Sequence, residues 1–224
     1  MSIGTAVFVG DRVVVVDKPV GISSEDLAAA WQKKLVHRID APTSGLVVLA
    51  DDARTVQRLQ KLMQQGGIER RYRLVVHGVF GEVVDGVGVE QTITSRLVRD
   101  RGDGLRGSST NAGTDVGGQL STTVLTPLSR STIDGVVVSR VEARLVTGRT
   151  HQIRIHMAEA GHMIVGERVY RRDHVARGNV EARGDRLLLH AWRLSFVHPN
   201  THAPVTTTAP LPAPFRVAGI GDVD

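Results

Sequence analysis

The chain contains no cysteine. That excludes disulfides, thiolate catalysis and every cysteine-based zinc or iron–sulfur site. Aromatic residues are scarce, at 4%, so a core has to be assembled from valine, leucine, isoleucine and alanine. A hydrophobic content of 41% over 224 residues supplies enough of them, and this length suits one large or two small domains. No apolar run approaches the ~20 residues of a membrane span. The start, MSIGTAVFVGDRVVVVDKP, lacks a basic leader and is interrupted by Asp11 and Arg12. It reads as a hairpin rather than a signal peptide, and a soluble cytoplasmic protein is expected. A phosphate-cradling glycine motif and a G-x-S-x-G elbow are both missing, which removes nucleotide hydrolysis and serine chemistry. His151 and His156 are five apart, and His198 and His202 four apart in a proline-flanked loop. Neither pair has the helical spacing and nearby carboxylate of a zinc hydrolase, so no metal is expected. Negative charge is in deficit, and the net charge of +5 suits a polyanionic partner as well as it suits a basic soluble enzyme.

What is present falls into hairpins separated by single helices. AVFVGDRVVVVDKPVG reads as two strands around Gly10 and Asp11. SSEDLAAAWQKKL reads as a short helix capped by Ser23 or Ser24, with Glu25 and Asp26 at its positive end. Leu46 to Ala50 is a strand. Val56, Leu59 and Met63, flanked by Leu62, give a helix that Asp51 or Asp52 caps and Gly66-Gly67 stops. RRYRLVVHGVF returns to strand. Residues 101–118 hold six glycines in eighteen positions and predict a mobile loop. A hairpin follows about Asp134-Gly135, its second arm alternating Val141, Ala143, Leu145 with Arg140, Glu142, Arg144. THQIRIHMAEAG switches to helix, with Thr150 as cap, Ile153, Met157 and Ala160 as the buried stripe, and Gly161 as stop. RLLLHAWRLSFVHP and APVTTTAP close as strands. The class is α+β with a mostly antiparallel sheet.

Two places concentrate polar residues beside buried elements. One is the turn of His37, Arg38 and Asp40 leading through Pro42, Thr43, Ser44 and Gly45 into the 46–50 strand. The other is TGRTHQIRIH, where Arg149, His151, Gln152, Arg154 and His156 cluster at a strand-to-helix junction. Arg154 lies one step around the helix from Ile153 and Met157, at the edge of the core, and a half-desolvated guanidinium requires an anion. Asp40 is the internal candidate, in a pair that is either structural or catalytic.

HRIDAPTSGLVVLA resembles the H-R-L-D-x-x-T-S-G-L-L-L-L-A signature of the RluA-type pseudouridine synthases. VVDKPVGI, RYRLVVHG, TGRTHQIRIHMAEAGHMIVGERVY and RLLLHAWRLSFVHP resemble further family segments, in the same order, so the resemblance spans nearly the whole chain. It implies a bent, mostly antiparallel sheet flanked by helices, with a central RNA-binding cleft. It implies isomerisation of uridine to pseudouridine in structured RNA, a ribosomal or transfer RNA stem-loop, without cofactor or metal. Asp40 is carried over as the essential carboxylate, placed beneath the positive charge that grows at C1′ as the glycosidic bond breaks. It acts either as nucleophile or as the base that takes the C2′ proton. Tyr72 matches the tyrosine against the target base, and Arg154 the arginine that keeps the carboxylate ionised and oriented. Arg38 falls beside them, facing the RNA backbone or the extruded nucleotide. His37, Thr43, Arg149, His151 and Gln152 complete the expected base-binding rim.

The chain departs from the family pattern at Ala41, at Arg70 in place of a lysine, at GERVYRR and at GGQLSTT. These positions bear on the choice of RNA rather than on the reaction. Only about ten residues precede the first matching segment, so the expectation is a single monomeric catalytic domain without the S4-type domain of many relatives. Two rivals are a non-catalytic RNA-binding protein on the same scaffold and a glycosidase-like hydrolase. The second lacks a nameable partner carboxylate.

Overall fold

The computed structural model describes residues 3–109, 117–182 and 184–215. In chain order the elements are β1 (Thr5–Gly10), β2 (Val13–Lys18), α1 (Ser24–Ala30), β3 (Lys34–Leu35), β4 (Ser44–Ala50), α2 (Ala53–Gln64) and β5 (Ile68–His77). There follow β6 (Val83–Val84), β7 (Val87–Gly88), β8 (Gln91–Val98), β9 (Gly107–Ser108), β10 (Gln119–Ile133), β11 (Val136–Leu145), α3 (Gln152–Glu159) and α4 (Arg171–Ala176). The last strands are β12 (Leu189–Val197) and β13 (Pro204–Thr208). The chain divides into two compact units, Met1–Arg73 with Leu189–Ala213, and Leu74–Leu188 with Pro214–Asp224.

In the first unit the strands run β1-β2-β4-β12-β5, with β13 on β12 and β3 on β4. The β1–β2, β2–β4, β3–β4 and β12–β13 pairs are antiparallel, and β4–β12 is parallel. Val13 to Val16 are all buried, as is every residue of β4. Their unbroken β-branched and leucine runs fit strands covered on both faces. Val13, Val15, Leu46 and Val48 pack with Leu59 of α2 and with Leu194 and Phe196 of β12. Asp52 caps α2, its Oδ1 accepting from Thr55 N at 2.9 Å, and Val56, Leu62 and Met63 lean on the same cluster. Gly45 is required where β4 meets β12. Its φ is +108°, and a Cβ there would stand 2.2 Å from Ala191 O.

In the second unit the order is β5-β11-β10-β8-β9, beside a separate β6–β7 ladder. The β10–β11 hairpin turns at Asp134 and Gly135, both at positive φ, as the expected two-residue turn demands. Together the units make the expected α+β fold with a mostly antiparallel sheet and few helices.

Four local readings are corrected. The first hairpin turns at Asp11 and Arg12, since Gly10 still pairs with Val13 and Arg12 takes the left-handed conformation. Helix α3 is not capped by Thr150. Its N-cap is His151, at φ 59°, with no side-chain cap, while Gln152 Oε1 accepts from Arg149 N at 3.0 Å. Nor is α3 amphipathic, because Gln152 to Met157 and Ala158 are all buried and Ala160 is exposed. The glycine-rich stretch is partly regular. Asp100 Oδ1 accepts from Gly102 N and Gly104 N, and β9 is pinned by Ser108 N donating to Glu159 Oε1 at 2.8 Å. Residues 110–116 of that expected loop lie outside the described residues.

Candidate active site

Asp40 sits between β3 and β4, where residues 37–43 lack a strand ladder of their own. Such backbone needs other partners, and side chains supply them. Ser24 Oγ donates to Ile39 O and accepts from Ile39 N, both at 3.0 Å. Ala41 O accepts from Gly21 N at 2.8 Å and from Lys18 Nζ at 3.3 Å. Lys18 has no exposed surface, and its ammonium also donates to Pro19 O and Ile22 O, at 3.0 and 2.9 Å. Thr43 N donates to Asp40 O at 2.9 Å, closing a turn about Pro42. Asp40 itself is half-buried. Thr43 Oγ1 is buried without a hydrogen-bond partner among the described residues.

Tyr72 and Arg70, two apart on β5, project from the same face of that strand. Tyr72 is 6% exposed. Burial raises its phenol above the usual value; the Arg70 charge pulls it down and the Asp40 carboxylate pushes it up. It is therefore a neutral phenol at pH 7, with a carboxylate and a cation within electrostatic range. His37 has its pKa lowered to about 3, by burial first and then by Arg70, against the Arg38 backbone. Its Nε2 accepts from Val48 N at 3.2 Å, which places the ring proton on Nδ1. His37 is thus a neutral brace for β4. Arg38 lies on the surface in an ion pair with Glu25 at 3.0 Å.

In the second unit Arg154 is 4% exposed. Its Nε and Nη2 donate to Glu167 Oε2 and Oε1, both at 2.7 Å. Burial alone would raise the Glu167 carboxyl, but Arg154 and the backbone N–H groups of Val169 and Tyr170 hold it below its ordinary value. The guanidinium also lies 5.5 Å from the Tyr170 ring centroid. Tyr170 OH in turn meets His151 Nδ1 at 2.8 Å. Gln152 is fully engaged: Nε2 donates to Thr122 O and Thr123 Oγ1, and Oε1 accepts from Thr147 Oγ1 and Arg149 N. Arg149 is exposed. A cavity of about 230 Å³ is lined by His77, Glu167, Arg168, Arg171 and Glu181, among others.

Residues 28–159 match the family described as RNA pseudouridylate synthase, more than half of the chain. The chain belongs to the RNA pseudouridylate synthase family. It is 33% identical over 230 residues to ribosomal large subunit pseudouridine synthase D of Neisseria meningitidis, covering 92% of this chain and 58% of that protein. It is 28% identical over 236 residues to the protein of the same name from Zymomonas mobilis, covering 94% and 70%. The chain thus spans about 58% of the length of the neisserial relative. Among solved structures, human RNA pseudouridylate synthase domain containing 1 superposes with a TM-score of 0.75 at 22% identity, over 93% of this chain and 84% of that one. Human RNA pseudouridylate synthase domain containing 4 gives 0.64 at 21% identity, over 93% and 89%. At such identities these neighbours speak for the fold.

Within the family match lie Asp40, Tyr72, Arg154 and every expected rim residue. The first unit brings Asp40 and Tyr72 within electrostatic range of each other. His37 Nε2 and both ends of the Gln152 amide are engaged in hydrogen bonds within the chain. The sequence reading gave no site role to Ser24, Lys18 or Glu167. Lys18 carried a signal in its place before Pro19, and Glu167 in the departure at GERVYRR. Ser24 carried none beyond its helix-capping type.

Proposed function

We propose that this synthase-family chain converts a uridine within RNA into pseudouridine, with Asp40 as the essential carboxylate. The observation that carries the reading is Asp40 in a turn held by Ser24, Lys18 and Thr43, with its charge felt at the buried Tyr72. A charge held in fixed geometry stabilises a developing cation without reorganising at the moment of reaction.

The reaction breaks the N1–C1′ bond, turns the base, and joins C5 to C1′. Asp40 either bonds to C1′ and is later displaced by C5, or removes the C2′ proton and returns it after a glycal stage. In both routes the C5 proton leaves, N1 gains one, and no atom is lost. Tyr72, a neutral phenol beside a carboxylate, relays the C5 proton as it leaves. Arg154 is the arginine that the resemblance assigns to orienting the carboxylate. Thr43, with an unsatisfied buried hydroxyl, the exposed Arg38 and Arg149, and the half-buried His151 are the remaining candidates for RNA contact. The target base has to be unstacked first, which makes a loop uridine the least costly substrate.

Relatives named for the large ribosomal subunit point to its RNA as substrate. The test maps pseudouridines in ribosomal and transfer RNA from cells with and without the protein. A large-subunit site that disappears on deletion and is restored on an unmodified transcript by the purified chain supports the proposal. An unchanged map overturns it.

A further inference from the structure

We infer that Ser24 is a positioning residue for Asp40, acting through the backbone of Ile39. The inference rests on the reading of Asp40 as the essential carboxylate.

The peptide groups on either side of Ile39 belong to no sheet ladder, and both are satisfied by one atom. Ser24 Oγ accepts from Ile39 N and donates to Ile39 O, at 3.0 Å each. A hydroxyl is among the few small side-chain groups that donate and accept at once. The pair is dry, with Ser24 1% and Ile39 6% exposed, so no water replaces the hydroxyl if it is removed. Ser24 is itself fixed as the first residue of α1, directly after the N-cap Ser23, whose Oγ accepts from Asp26 N.

On the other side of Asp40, its own carbonyl and that of Ala41 are held by Thr43 N, Gly21 N and Lys18 Nζ. Peptide planes 38–39 through 41–42 are therefore all held, and the direction of the Asp40 Cα–Cβ bond follows from them. The Ser24 hold is the one that a single neutral side chain provides. Its loss frees the peptide plane on the N-terminal side of Asp40 while leaving every charge in place. A misplacement of about 1 Å at a reacting group costs on the order of 10²-fold in rate.

The experiment uses the full chain and a large-subunit ribosomal RNA transcript that the wild type modifies. It measures kcat, KM and melting temperature for Ser24→Ala, Ser24→Thr, Ser24→Cys and Asp40→Asn. Ser24→Ala is expected to lose about 10- to 100-fold in kcat, with KM within about threefold of wild type. Ser24→Thr, which keeps the hydroxyl, should recover most of the rate. Ser24→Cys fills the site with a slightly larger group that is a weaker donor; it should fall between the two, and it replaces alanine if that variant does not fold. A folded Ser24→Ala or Ser24→Cys with wild-type kcat overturns the inference, as does a loss confined to melting temperature. Turnover retained in Asp40→Asn instead overturns the reading of the carboxylate, whatever the serine variants show.

Discussion

Replacing Asp40 by asparagine keeps the volume of the side chain and removes its charge, so the turn around it survives. Pseudouridine formation by Asp40→Asn should fall on the order of 10³-fold or more, while RNA affinity changes only modestly. Single-turnover assays beside filter binding check both, and retained turnover counts against the assignment. Arg154 and Glu167 are a different kind of pair, bidentate and 4% and 3% exposed. Glu167→Gln leaves a buried guanidinium with half its partner and should cost roughly 3–5 kcal/mol. Arg154→Lys keeps the charge but not the planar two-point contact, and should cost nearly as much. Because the two share one interaction, the double variant should lose less than the sum, which urea denaturation measures. The acid response has a definite sign. The folded Glu167 carboxyl lies below its ordinary 4.5. Its contribution is therefore complete above that value and is lost as pH falls through the lower folded one. Acid unfolding of Glu167→Gln should lack that component.

Among the elements, α3 departs most from its sequence pattern. Its polar residues face inward because β10, β8 and β9 present matching groups. Gln152 and His156 both bond Thr123 Oγ1, and His156 Nε2 meets Ser95 Oγ at 3.1 Å. Ser108 then links Ser95 to Glu159. A helix covered on all sides shows no apolar stripe, which is why the expected stripe ended wrongly at Ala160. Burial lowers the His156 pKa from 6.5 to about 4. A histidine kept neutral by folding binds more protons when unfolded, so stability falls as pH drops from 6.5 towards 4. At ~1.4 kcal/mol per pH unit, His156 should account for about 2 kcal/mol of stability lost between neutral pH and pH ~5. His156→Gln keeps a donor and an acceptor without titrating, so its loss over the same range should be smaller by that amount. Guanidinium denaturation at both pH values checks this, and parallel losses would exclude His156 as the cause. His37 titrates with the same sign and contributes equally to both proteins.

For the whole molecule, the +5 charge sets how the proposed RNA binding answers to salt, though not every arginine is available. Arg71 pairs with Glu69 and Arg171 with Glu181, whereas exposed Arg168 has no carboxylate partner among the described residues. Arg168→Ala should reduce the slope of log affinity against log salt by roughly 0.7–0.9, the share of one phosphate. Arg171→Ala should reduce it less, since Glu181 already neutralises that charge. A minimal hairpin carrying the mapped uridine should be modified faster than the same uridine in a long perfect duplex, because extrusion costs least from a loop. Equal rates on the two RNAs would count against a loop target. The sequence by itself determined the α+β class, the hairpin at Asp134-Gly135, the serine pair 23–24 and the aspartate pair 51–52 from which the structure takes Ser23 and Asp52 as caps, and the family through ordered segments around Asp40, Tyr72 and Arg154. Those features depend on residues adjacent in the chain, or on a pattern carried whole. Only the tertiary structure decided that Glu167 lies on Arg154, that Gln152 and His37 are spent internally, and that Ser24 and Lys18 hold the backbone about Asp40. Each of those includes a bond between residues 11 to 30 positions apart, and hydrogen bonds across such separations leave no period in the sequence to read.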